Sequence, residues 1–340
     1  MSRLLGWVLL TAGLAACGLL SPAEHSGAGA ALDAAFAEAG QQANLTSLVV
    51  VHAGAVERQL YLHGGGADSA QDVRSVTKSV VSLLVGIAVD RGCVQSLDQT
   101  LADLLGPLAP ADTAKRGITL RQLLNMTSGL GGDELANVNL YNQWAAAADQ
   151  LTYVWDLPLV ATPGSRFNYY SPNFYIASRI LTRNCGQGTA DFARDVLFTP
   201  LGMGARAWET DDKGYINGGA GLSLTPMDMV AIGRLVMASG RAGGGQVVPS
   251  AWIQSATTTT VATHATANVS GYGYGWWIGQ AGAAPYVMAM GWGGQFIVVV
   301  PSKQLIVTAT AHWQGIGTSA ANAQWIAIDT IILQRIVPAY

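Results

Sequence analysis

The alternation of apolar and polar positions divides the chain into three parts. Ala31 to Ala43 carries apolar residues at helical spacing, and SLVVVHAG and ERQLYLHG follow as two strands joined by a turn at Gly54. They lead into RSVTKSVVSLLVGIAV, residues 74–89, which predicts a helix apolar on nearly every side, ending at Asp90-Arg91-Gly92 where a glycine suits the C-terminal cap. From about residue 93 to 260 the pattern is mostly helical and broken by Pro and Gly, with LRQLLNMTSGL, SPNFYIASRILTRNCG, TADFARDVLFTPLGM and TPMDMVAIGRLVMASG as its segments. Strand signals return in GYGWWIG and in GQFIVVVPSKQLIVTATAHW, a hairpin turning at Pro301 to Lys303, before an amphipathic helix over Ala321 to Ile336. Strands at both ends around a helical block predict one sheet built from the two ends of the chain. The block then forms a second lobe, and the cleft between them is the place for a site.

One residue in the apolar helix is out of character. Lys78 stands among Val76, Val80, Val81 and Leu84, and a buried amine is costly unless something pairs with it or uses it. Ser75 lies three residues earlier, on the same helical face and within hydrogen-bond reach. It also sits at the helix start, where free N–H groups and the dipole favour negative charge on a nearby oxygen. Desolvation lowers a lysine's pKa, and a serine hydroxyl needs such a base before it attacks a carbonyl.

Composition narrows the partner. The chain has 340 residues, half of them apolar and 11% charged, with a net charge of −3; it buries a large core and carries no basic footprint for nucleic acid or an anionic membrane surface. A small-molecule or short-peptide substrate is expected, with no cofactor. At the N-terminus, Arg3, the run LLGWVLLTAGLAAC and the turn-rich SPAEHSGAGA read as an export signal too short to span a bilayer comfortably. Leu14-Ala15-Ala16-Cys17 resembles a bacterial lipobox, which makes residues 1–16 a signal peptide, Cys17 a lipidated anchor to the cell envelope and residues 17–30 a linker; an ordinary secretory signal is the alternative. Cys93 and Cys185 either pair or stay as separate thiols. No C-x-x-C or cysteine–histidine cluster suggests a metal.

SVTK at 75–78 followed by an apolar helix resembles the S-x-x-K motif of serine β-lactamases and penicillin-binding proteins. ITLRQLLNMTSGL (118–130), FNYYSPNFYIASRIL (167–181), GGAGLSLTPMDM (218–229), YGYGWW (272–277) and GWGGQFIVVVP (291–301) resemble, in order, blocks of the class C β-lactamase and esterase branch. The resemblance implies an α+β, αβα-sandwich fold of the β-lactamase/transpeptidase type over residues 31–340, with the helical lobe at about 93–260. It implies Ser75 as nucleophile, Lys78 as general base and Tyr169 as proton relay, Tyr170 being the competing assignment. Ser171 takes the place of the usual asparagine, a Tyr-x-Ser form similar to 6-aminohexanoate-dimer hydrolase and related esterases. Asn125, Thr127 and Ser128 belong to an architectural block.

The family's third motif falls on Trp292-Gly293-Gly294-Gln295, and by analogy the N–H of Gln295 joins that of Ser75 in an oxyanion hole. Trp292, Gly293, Gly294, Ser171 and Tyr141 are the expected substrate contacts, and His312 more often has a structural than a catalytic role. Trp292 departs from the family cation that binds a carboxylate, offering an apolar wall and one N–H donor instead. The expectation is an exported serine hydrolase of an ester or amide lacking an obligatory carboxylate, with β-lactams turned over poorly. A peptidoglycan D,D-peptidase or D-aminopeptidase, a true β-lactamase, and a non-catalytic binding or sensor protein on the same fold are the alternatives. No G-x-S-x-G elbow points to another hydrolase fold.

Overall fold

The computed structural model describes residues 27–263 and 265–340. The expected signal peptide, the lipidation at Cys17 and the linker up to residue 26 lie outside the described residues. Residues 27–30 are not linker, because the first helix, α1, spans Gly27–Ala39 and begins earlier than its apolar periodicity suggested. Among the described residues no helix is long and apolar enough to cross a membrane.

A single antiparallel sheet carries strands β1 (Leu45–His52), β2 (Ala55–Tyr61), β3 (Val261–Ala262), β4 (Val269–Tyr272), β5 (Trp277–Ala281), β6 (Ala284–Gly291), β7 (Gln295–Val300) and β8 (Leu305–Ala311). Their order is β2-β1-β8-β7-β6-β5-β4-β3. The two ends of the chain meet where β1 pairs with β8, Leu48 opposite Ala309 and Val50 opposite Val307. Strands β7 and β8 are buried along their whole length, which is why they read as continuous apolar runs and do not alternate. The edge strand β2 instead exposes Glu57 and half-buries Arg58, charges that discourage pairing with another sheet. Strand β6 was not anticipated; APYVMAMG is short of β-branched residues and contains a proline, so its sheet position comes from its neighbours.

Register fixes the layers. Ile297 and Ile306 point to one face and pack near Gly233 of the helix Pro226–Met237, while Gly294 and Ala311 point to the other and meet Ile328 of the C-terminal helix Thr318–Ile331. The helix Val76–Asp90, called α2, lies with the first group, where Gly291 of β6 touches its entry turn. Helices cover both faces of the sheet, as the sandwich expectation required. The helical lobe contributes the short helices Leu120–Leu124 (α3) and Asn139–Ala145 (α4) and the longer Pro172–Asn184 (α5), which packs against α2. In order, the helices Pro226–Met237 and Thr318–Ile331 become α6 and α7.

Cys93 and Cys185 are unpaired thiols just beyond the ends of α2 and α5. Burial, and the neighbouring Cys93, push the Cys185 thiol up.

Candidate active site

Helix α2 supplies the chemistry at its first turn. Ser75 is its N-cap residue, yet its hydroxyl makes no capping bond to the backbone N–H groups that a serine there ordinarily serves. The Oγ lies 2.8 Å from Lys78 Nζ instead. Lys78 also donates to Ser171 Oγ (2.9 Å) and to the carbonyl of Gly219 (2.7 Å), so the lysine is fully enclosed with every hydrogen-bonding position filled. A neutral amine has two N–H donors and one lone pair. With the donors directed at Ser171 and Gly219, the lone pair faces Ser75. Burial pushes Lys78 down to about 7, Glu134 pulling it up again and Arg74 pushing it further down.

Position 219 has to be glycine for this contact, because a Cβ there would come 2.8 Å from the Ser171 carbonyl oxygen. Gly291 has a similar duty on the other side. Its Cβ would come 2.3 Å from the carbonyl oxygen of Val73, so a bare backbone is what lets β6 close onto the entry to α2.

Ser171, at the N-cap of α5, does more than replace an asparagine. Its N–H and hydroxyl donate to the two carboxylate oxygens of Glu134, at 2.7 and 2.6 Å, while the hydroxyl oxygen accepts from Lys78. The Glu134 N–H donates in turn to the Tyr169 carbonyl. The result is a chain from Ser75 through Lys78 and Ser171 to Glu134. Burial raises the Glu134 carboxyl, and Lys78 and the Ser171 bonds oppose that rise. Sequence reasoning missed Glu134. It lies in a loop with no motif of its own, and only the folded contact with Ser171 gives it a role.

Tyr169 lines the same cavity, its ring stacked on Trp277 at 5.3 Å and with Lys78 Nζ over it at 4.9 Å. Its hydroxyl engages Ser75, and burial still holds the phenol well above its ordinary range, so it is a proton donor at neutral pH. Tyr170 does not line the cavity; its hydroxyl is buried without a partner among the described residues. Tyr141 does line it, accepts from Asn217 Nδ2 at 3.0 Å and is pushed up to about 12 by burial.

The cavity above Ser75 holds about 680 Å³. Its far wall comes from Trp292 in the β6–β7 turn, Trp313 after β8, and Asn322, Trp325 and Ile326 of α7. Trp292 Nε1 donates to Asn322 Oδ1 at 3.0 Å, tying the turn to the helix. The expected contacts at Gly293 and Gly294 are corrected: both are buried behind this wall at positive φ, where Gly293 makes room for Trp313 and Gly294 for Ile328. Gln295 is corrected too. It is fully buried, pairs with Gly291, and its side chain donates to the Ala311 carbonyl (2.8 Å) and accepts from the Ala311 N–H (3.2 Å), away from the cavity. The backbone N–H groups of Ser75 and Trp292, both on cavity residues, have no acceptor among the described residues.

His312 lies outside the cavity, its ring nitrogen beside the His63 carbonyl at 3.1 Å. Thr127 donates to Asn125 and Ser128 to Asn173, bonds that hold the lobe together. Among the described residues no group of His, Cys, Asp and Glu could hold a metal ion.

A family model described as Beta-lactamase matches residues 32–330, a span that takes in every element of this site. The chain belongs to the beta-lactamase family of serine hydrolases. Within it, the chain is 34% identical to penicillin-binding protein 4 of Amycolatopsis lactamdurans over 137 residues, 40% of this chain and 35% of that protein. It is 25% identical to 6-aminohexanoate-dimer hydrolase of Paenarthrobacter ureafaciens over 227 residues, 62% of this chain and 56% of the relative. These matches span about a third and just over half of the relatives' lengths. The octameric penicillin-binding protein homologue from Pyrococcus abyssi superposes with a TM-score of 0.69 at 18% identity, covering 90% of this chain and 77% of that one, which establishes the shared fold.

Proposed function

We propose that this family member is an exported hydrolase that cleaves an ester or amide through an acyl-enzyme on Ser75. The observation that carries the reading is the set of three contacts at Lys78 Nζ, to Ser75, Ser171 and Gly219; once the amine is neutral, Ser171 and Gly219 take its two donors and the lone pair is left for the Ser75 hydroxyl. In the first step the Ser75 proton passes to Lys78 Nζ as Oγ bonds to the substrate carbonyl carbon. The N–H groups of Ser75 and Trp292 face the oxygen on which charge develops. Tyr169, protonated at neutral pH, hands a proton to the leaving group and is recharged from Lys78; water then releases the acyl group by the reverse path. Export as a lipoprotein rests on the sequence around Cys17, and membrane fractionation of wild type and Cys17→Ser tests it.

Fluorophosphonate labelling and turnover of short-chain aryl esters and nitrocefin, compared between wild type and Ser75→Ala, test the chemistry. Wild type is expected to label and to prefer the ester, with both signals lost in Ser75→Ala. Efficient nitrocefin turnover favours a true β-lactamase; no labelling and no turnover favours a binding protein.

A further inference from the structure

The residue before the nucleophile has a role that the mechanism leaves unused. Arg74 is held at a φ of 50°, a conformation most side chains avoid, by a bond from its N–H to Asp72 Oδ1 at 2.8 Å. Its guanidinium lies between two aromatic rings, 4.9 Å from the centre of Tyr141 and 4.4 Å from that of Trp313. The side chain is only 14% exposed, and it lines the cavity over Ser75. Asp72 forms an ion pair with Nη1 at 3.6 Å, which offsets part of the charge but is too long for a hydrogen bond and leaves the donors of the fork open.

A guanidinium has five N–H donors in a rigid fork. Among the described residues none of Arg74's finds an acceptor in hydrogen-bond range, and Nε is wholly buried. Burying a cation with its donors unmet is expensive. Stacking between Tyr141 and Trp313 offsets part of that cost, and it also fixes the plane of the fork, so little is left to order when a ligand arrives. The ligand that matches a fixed, donor-only planar fork is a carboxylate, taken through paired charge-assisted bonds.

We propose that Arg74 is a substrate-binding residue that anchors a carboxylate carried by the substrate away from the scissile bond. The charge lost at Trp292 is thus supplied one residue before Ser75, by a side chain stacked on Trp313, whose ring also meets Trp292, and the expectation of a substrate without a carboxylate is revised. The inference rests on the hydrolase reading for its kinetic test and is independent of it for its binding test.

The kinetic test compares mono-p-nitroanilides of succinic, glutaric and adipic acids with their methyl esters, and butyryl esters of 4-hydroxybenzoate with those of methyl 4-hydroxybenzoate, so that the carboxylate is offered in either half. Wild type is expected to prefer a carboxylate compound by at least tenfold in kcat/KM, mainly through KM. Arg74→Met, which keeps an apolar stem between the two rings, should remove that preference, and Arg74→Lys should restore part of it. Equal losses on charged and methylated compounds, or no preference in wild type, overturn the proposal. The binding test titrates monomethyl and dimethyl glutarate, adipate and their unesterified acids into Ser75→Ala and into Ser75→Ala/Arg74→Met, reading tryptophan fluorescence. Carboxylate-dependent quenching that disappears with Arg74 supports the anchor even where no compound is turned over, in which case the hydrolase reading alone fails. Binding indifferent to the carboxylate or to Arg74 defeats the anchor alone.

Discussion

The two walls of the cavity are built on different principles. On the α2 side, Ser75, Lys78, Ser171, Glu134 and the Gly219 carbonyl form a closed polar network in which the buried amine has every partner it needs. On the far side, Trp292, Trp313, Trp325 and Ile326 present aromatic and apolar surface to the cavity, and the hydrogen bonds that hold this wall, from Trp292 to Asn322 and from Gln324 to the Gly293 and His312 carbonyls, tie α7 to the segments beside it. A network of short polar contacts tolerates little displacement, because each lost partner leaves a buried polar group unmet. An apolar wall can be reshaped at modest cost. Reaction type is therefore fixed on the near wall, and the size and shape of the substrate are set on the far one.

The largest effect should come from the centre of the near wall. Lys78→Ala removes the base and strands Ser171 and Gly219, and kcat is expected to fall by about three orders of magnitude on any ester the wild type accepts. A loss under tenfold, measured on protein with an unchanged circular dichroism spectrum, would show that Ser75 is activated by something else. In wild type, kcat/KM should rise with pH through about 7 as Lys78 loses its proton.

Glu134→Gln is the subtler probe of the same wall. It keeps an acceptor for Ser171 and removes the charge that raises Lys78, so the acid limb of the pH profile should move to lower pH while kcat drops by about tenfold. A limb that stays in place, or moves to higher pH, breaks the proposed line from Glu134 to Lys78. On the far wall, Trp325→Ala should raise KM several-fold for bulky acyl groups and barely alter it for acetyl esters, since only apolar contact is removed. Equal effects on both would mean that this wall is not a selectivity surface.

The same contrast explains what the sequence made legible. Ser75 and Lys78 lie within one helical turn, so local spacing discloses their meeting, and the apolar run around them discloses the burial that makes the lysine basic. The strands that join the chain ends were legible as well, because β1, β7 and β8 carry the unbroken apolar runs LVVV, FIVVV and LIV. Glu134 and Arg74 were not: Glu134 meets Ser171 across 37 positions, and Arg74 meets Trp313 only after β8 has been laid beside β1. The far-wall residues of α7 read as one more amphipathic surface, since nothing in a helical period tells a cavity from a core. Gln295 was misplaced for a related reason. A motif gives order along the chain but not the turn that follows β6, where Trp292 faces the cavity and Gln295 turns back into the sheet.

The smallest expected effect on turnover lies beneath the far wall. Asp329 of α7 is 7% exposed, its Oδ1 has no partner among the described residues, and its Oδ2 receives only a 3.5 Å contact from Asn268 Nδ2. Burial pushes this carboxyl up to about 6, with the Asn268 contact pulling weakly the other way. The folded protein therefore holds this proton more tightly than the unfolded chain, whose carboxyl titrates near its ordinary value of 3.8. Between those two values the unfolded state binds fewer protons, so this residue's contribution makes stability fall as pH rises from about 4 to above 6 and stay low beyond. A two-unit difference corresponds to about 3 kcal/mol. Asp329→Asn removes the titration and keeps the shape, so chemical denaturation should find it more stable than wild type at pH 8 and nearly equal at pH 4. Turnover of acetyl esters should change little, because Asp329 touches no part of the near wall. A variant less stable at pH 8 would mean that the ionised carboxylate is satisfied where it stands, and that the far wall rests on a polar footing as firm as the one under Lys78.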